Sequence, residues 1–192
     1  MSELYHNEDC TNICYAELDP AAPDKGAAVD AYVDRVADGG VTAFLCNVNA
    51  ERTNYASDVW EAFWTGYDPD GPDDQPHLAG FGDAPAAAIA RWRHGVDNML
   101  ALHRQCIDYP ARVIARCRHR GIAPWISLRM NDVHNQDNEA HPHHSTFWRD
   151  QPHLRRQGYA GYFGRALDYG QADVRDHTLR LIDEVLARYD ID

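Results

Sequence analysis

Ile122-Ala123-Pro124-Trp125-Ile126-Ser127-Leu128-Arg129-Met130-Asn131-Asp132-Val133-His134-Asn135 is a short apolar run that opens into a dense polar cluster. Its first part, Ile122 to Ile126, has the length and composition of a buried strand. Its second part holds Arg129, Asn131, Asp132, His134 and Asn135, all with side chains able to bind a ligand. Charged groups are rarely covered unless they are paired or used, so the stretch reads as a strand ending at the mouth of a site. An internal network of salt bridges and caps is the competing explanation, and the density of the cluster favours the ligand site.

Outward from this stretch the chain alternates helix and strand. Asp24 to Asp38 places Val29, Tyr32, Val33 and Val36 at the period of a half-buried helix, and Gly39-Gly40 ends it. Val41 to Cys46 follows as a buried strand, with Asn47 and Asn49 at its end. A helix is expected to start at Ser57-Asp58, and the Pro-, Gly- and Asp-rich segment Tyr67 to Asp83 reads as an irregular, solvated insertion. Helices are expected from Pro85 through Leu100 and from Pro110 to Gly121, the second capped near Asp108. A long loop, Gln136 to Gly164, precedes a last helix over Ala172 to Tyr189 with Val174, Leu181, Ile182, Val185 and Leu186 on its apolar face. This predicts one α/β domain over residues 1–192, with insertions near 66–83 and 136–164.

With 192 residues, 44% hydrophobic and 25% charged, the chain is of ordinary globular composition. Its 30 acidic and 18 basic residues give a formal charge of -12, which opposes binding to nucleic acid or to an anionic membrane. The first ten residues carry no apolar signal segment, and no run approaches the roughly 18 apolar residues of a membrane span. Five cysteines without a Cys-x-x-Cys pair argue against a disulfide framework, so a reducing cytoplasm is the expected setting. No nucleophile elbow, phosphate-binding glycine loop or Cys/His catalytic pair is present.

Ala166-Leu167-Asp168-Tyr169-Gly170, Asp173-Val174-Arg175 and Glu184 to Asp192 resemble the third helix and the approach to the fourth strand of bacterial glycoside-hydrolase-like (β/α)8 barrels. Asn7 to Asn12, Val41 to Asn49 and Arg116 to Trp125 match in the same order, so the resemblance covers nearly the whole chain. It implies the amino-terminal three to four βα units of such a barrel, truncated before strand 4, with strands near Asn12 to Glu17, Val41 to Val48 and Ile122 to Leu128. A closed barrel of this kind needs about 200 residues or more, and about three strand candidates are too few to close one. The missing carboxyl-terminal half, or self-association, is the expected partner, and the chain alone is expected to aggregate, oligomerise or pack loosely.

The implied activity is hydrolysis of a glycosidic bond. Barrel sites lie at the carboxyl ends of strands, where Asn47, Asn49, Arg129, Asn131, Asp132 and His134 fall. Glycoside hydrolysis uses two carboxyl groups roughly 5 to 9.5 Å apart. Asp132 is the best carboxylate for a place in such a site, but Arg129 beside it favours the ionised form, which suits a supporting role over a general acid. The decisive carboxylate is expected on strand 4. Asn47, Asn49, Arg129, Asn131 and His134 are the expected sugar-binding groups, with Trp148 as an aromatic platform, whereas Trp125 reads as core. Asn47 and Asn49 read equally well as turn residues.

His141, His143 and His144 sit in a Pro-containing loop without helical ligand spacing and read as solvated, so no metal and no cofactor is expected. His134 with Asp132 holding a divalent ion, as in metal-dependent sugar isomerase-like barrels, is the rival enzyme reading. A noncatalytic carbohydrate-binding or structural fragment is the reading outside enzymology.

Overall fold

A computed structural model describes residues 3–19 and 21–192. The expected α/β layering is present. Three parallel strands, β1 (Tyr5–Glu8), β2 (Ala43–Asn47) and β3 (Ala123–Ser127), form one sheet in the order β1-β2-β3. Helix α1 (Lys25–Asp38) connects β1 to β2, and α2 (Ala86–Arg104) and α3 (Tyr109–Arg120) lie between β2 and β3. A short α4 (Thr146–Asp150) and the long α5 (Ala172–Arg188) follow β3. The register pairs Glu8 with Cys46 and Asn47 with Ser127, so all three strands end on the same side.

Local signals set the helix ends. The Asp24 carboxylate accepts from Ala27 N at 2.9 Å and that of Asp108 from Ala111 N at 3.1 Å, which satisfies amides that have no partner inside the helix. Gly121 ends α3 at φ 70°, a left-handed conformation that glycine adopts without strain. Between the sheet and α1–α3 lies a core that includes Val29, Val33, Phe44, Met99, Val113 and Cys117. A second cluster of Val48, Tyr55, Ile114, Leu181, Val185 and Tyr189 holds α5. Helices α1 and α3 run side by side and are joined by a charged ladder. Arg112 pairs with Asp30, Arg116 with Asp34, and Arg120 with both Asp34 and Asp38, at 2.5 to 3.0 Å. Both partners recur every fourth residue, so one face of each helix carries a single sign of charge.

Several expectations are corrected. The first strand is Tyr5–Glu8, whereas Ile13–Glu17 winds into a single π-helical turn. Cys10, at φ 66°, turns the chain, and the buried Glu8 carboxylate accepts from Asn12 N and Nδ2 at 3.2 and 3.0 Å. The apolar run Ile13-Cys14 is therefore buried without a ladder, since a short apolar run fits either element. No helix starts at Ser57-Asp58. The Glu184 carboxylate accepts from the Tyr55 and Ser57 hydroxyls and from Asp58 N, and Thr53 pairs with Glu61 and Phe63 across the segment.

The two insertions are exposed along much of their length, as expected, but each is anchored by buried side chains. Residues 67–83 bury Tyr67, Gln75, His77 and Leu78, with a 3-10 turn at Pro76–Phe81. The loop after residue 136 buries His144 and Trp148 completely. β3 is half-buried, and Trp125 lies against Tyr5 with ring centroids 5.2 Å apart instead of deep in the core. Leu186 is exposed despite its place in the apolar period of α5. Asp192 N reaches Pro124 O at 3.3 Å, so the last residues run beside β3. No helix among the described residues is long and apolar enough to cross a membrane.

Candidate functional site

The parallel register brings the segments after Glu8, Asn47 and Ser127 together, because side chains beyond strand ends on one side of a sheet share one crevice. A cavity of about 210 Å³ opens there, lined by Asp9, Thr11, Asn47, Asn54, Arg129 and His143, with Tyr15, Phe63 and Trp92 among its apolar walls. Its volume lies below the roughly 300–1,000 Å³ of pockets for drug-sized ligands, so it takes a smaller molecule or one unit of a larger one.

Arg129 is the centre of the polar side. One guanidinium nitrogen meets Asp9 Oδ2 at 2.5 Å and the other meets Asp132 Oδ2 at 2.9 Å. Asp132 is buried, and its Oδ1 also faces His134 Nδ1 at 3.0 Å, His143 Nε2 at 3.0 Å and the backbone amide of His134 at 2.9 Å. Burial alone would raise its carboxyl, yet the hydrogen bond and charge of His143, the His134 amide and Arg129 hold it far below the usual carboxylate range. Asp132 is thus an anion at neutral pH that accepts hydrogen bonds and donates none. His143 is gripped by the aromatic wall, edge-on to Phe63 at 5.6 Å and to Trp92 at 6.4 Å. Asp132, His134 and His143 each offer one donor atom, and these atoms all lie within 4.8 Å of one another.

The residues expected at the site divide into two groups. Asn47 and Arg129 line the cavity, although Asn47 Nδ2 donates to Ser127 O at 3.0 Å, and Asp132 and His134 stand beside it on Arg129. Asn49 and Asn131 are spent on backbone. Asn49 Nδ2 donates to Arg129 O at 2.9 Å while its Oδ1 accepts from Arg129 N at 3.1 Å, so it clamps the β2 exit to the β3 exit. Asn131 makes the same pair of contacts with Leu167 N and O. Trp148 has no free ring face: His144 stacks on it at 4.0 Å, the Arg155 guanidinium lies 3.6 Å over it, and its Nε1 donates to Arg165 O. It holds the loop core and offers no platform to a sugar.

Three polar groups were missed by sequence reasoning. Asp9 belongs to the site because β1 ends at Glu8, and the misplaced first strand hid it. His143 reaches Asp132 only through the fold of its loop. Glu51, just past the β2 exit, is buried with Oε2 at 2.8 Å from His144 Nδ1, while its Oε1 has no hydrogen-bond partner. The companion His141 is pushed down to about 4 by burial and by the neighbouring His143 and His144.

A second cavity of about 230 Å³ lies beside Tyr55, His103, Asp108, Tyr109 and Arg188. Its carboxylate is already engaged, since Asp108 caps α3 and accepts from Arg188 at 2.8 Å and Tyr189 at 3.0 Å. The strand-end cavity differs in gathering polar side chains from the exits of all three strands, Asp9, Asn47 and Arg129. No family model matches the chain, and no curated protein matches it.

Proposed function

We propose that the chain forms the amino-terminal units of a glycoside-hydrolase-like (β/α)8 barrel and supplies the substrate-binding side of a carbohydrate cleft. The observation that carries this reading is the meeting of Asp9, Asn47, Arg129 and His143 with Tyr15, Phe63 and Trp92 on one cavity at the carboxyl ends of three parallel strands. Sugars present hydroxyls along their rim and C–H groups on their ring faces, so a site with planar polar groups on one wall and aromatic rings on the other matches both.

In this reading Asp9 accepts from sugar hydroxyls, and Arg129, held between Asp9 and the buried Asp132, donates to ring or hydroxyl oxygens. Asp132 is a positioning and charge-stabilising group, because a carboxyl held so far below its ordinary range does not protonate a leaving group at neutral pH. The proton donor of the hydrolysis comes from another element. A panel of mono- and disaccharides titrated calorimetrically into the protein tests the reading. A ligand is expected whose affinity falls at least about tenfold, or 1.4 kcal/mol, in Arg129→Ala and in Asn47→Ala. Absence of carbohydrate binding, or equal affinity in both variants, overturns it.

A further inference from the structure

The crowding around one oxygen of Asp132 exceeds what an internal salt bridge needs. Arg129 already neutralises the carboxylate through Oδ2, yet two imidazoles of the segment between β3 and α4 point ring nitrogens at Oδ1, each at 3.0 Å. We propose that Asp132 Oδ1, His134 Nδ1 and His143 Nε2 form a binding site for one divalent transition metal of the zinc type, at the rim of the strand-end cavity.

The donor set and its spacing argue for this. Two imidazole nitrogens and one carboxylate oxygen are the ligands of borderline metals such as zinc, not of magnesium or calcium, which take oxygen. Tetrahedral zinc with bonds of about 2.0 to 2.2 Å puts neighbouring ligand atoms about 3.3 Å apart. Both Asp132–His separations stand at 3.0 Å, and the whole set lies within 4.8 Å, so small ring rotations bring the three onto one ion.

The supports around the ligands are already in place. Arg129 and the His134 amide hold the carboxylate, and Phe63 and Trp92 hold the His143 ring, the kind of surrounding contact that orients metal ligands. Charge permits a cation. Asp9 and Asp132 carry two negative charges against the single positive charge of Arg129, so the cluster is net negative when its histidines are neutral. His143 also lines the cavity, and three protein ligands leave a coordination position open to water or to a hydroxyl of a bound molecule.

This site shares His143 with the proposed cleft, but its ligands need no sugar, and the two are measured separately. Chelator-treated protein, without sugar, is titrated with zinc in competition with a chromophoric zinc indicator. One equivalent is expected to bind. His143→Ala and His134→Ala should each weaken it at least about tenfold, in keeping with the loss of a ligand. His119→Ala and His153→Ala, which alter exposed histidines elsewhere, should leave it unchanged. The exposed position of His134 keeps its variant folded even where loss of His143 does not. Failure of the wild-type protein to take zinc from the indicator, or a His134→Ala variant that binds as tightly as wild type, overturns the site. Sugar titrations repeated in chelator then report on the cleft alone.

Discussion

At the scale of single residues, the cavity depends on a glycine. Gly95 sits inside α2, where replacing glycine by alanine ordinarily stabilises a helix by up to about 1 kcal/mol. Here a Cβ would stand 2.1 Å from the Tyr15 ring, which lines the cavity. The ring must move or the helix must retreat, and overpacking of this kind costs about 1–3 kcal/mol. Gly95→Ala is therefore expected to lower the melting temperature and weaken ligand binding together; a variant that melts higher than wild type would show that Tyr15 is free to swing. Asp9, Arg129 and Asp132 form the other residue-scale unit. Removing Arg129 leaves two carboxylates with no cation between them, so its variant should lose binding more than Asn47→Ala, which loses one amide.

At the scale of elements, α5 is tied to the loops by His177, whose ring is sandwiched between Trp60 at 4.4 Å and Phe147 at 3.6 Å. Burial, with a smaller contribution from Arg180, pushes this histidine from 6.5 down to about 4, and burial with Arg52 does the same to His77. Between those two values the unfolded chain binds protons that the folded chain does not, so stability is complete above pH 6.5 and falls as the pH drops toward 4. Urea midpoints measured at neutral pH and at mildly acid pH should show this fall, and His177→Phe, which keeps both stacks, should show a smaller one. An identical fall in the variant would mean that His177 takes no part.

The same scale explains what the sequence discloses. Helices α1, α3 and α5 were legible because their caps and apolar periods are local: Asp24, Asp108 and Gly121 mark ends within one turn. Strand β1 was not, because Tyr5-His6-Asn7-Glu8 carries no alternating apolar pattern and becomes a strand through pairing with residues 43–46 far along the chain. The Arg129 to His134 segment is legible as a polar cluster beyond the end of β3, since a polar burst after an apolar strand is a local signal. Asn49, Asn131 and Trp148 were misassigned because their type fits both a ligand and a backbone clamp or loop core. His143 was hidden because a loop has no period from which its contact with Asp132 could be read.

At the scale of the whole molecule, β1 and β3 are both edge strands among the described residues, and Leu4 and Tyr5 at the β1 edge are half-exposed. Open edges template pairing with another strand, as a barrel does by closing. Sedimentation over a range of concentrations is expected to show reversible self-association of the 192-residue chain, despite its charge of -12. A monomer at every concentration, unfolding in one sharp transition, would speak against the barrel-half reading.

The ligand-binding cleft is proposed at the shared carboxyl ends of the three strands. Amide NMR of isotope-labelled protein titrated with a bound mono- or disaccharide tests it most directly. The shifted signals are expected to gather at Asp9, Asn47, Ala50, Arg129 and His143. Shifts gathered instead around His103, Asp108 and Arg188, or spread without focus, would contradict it.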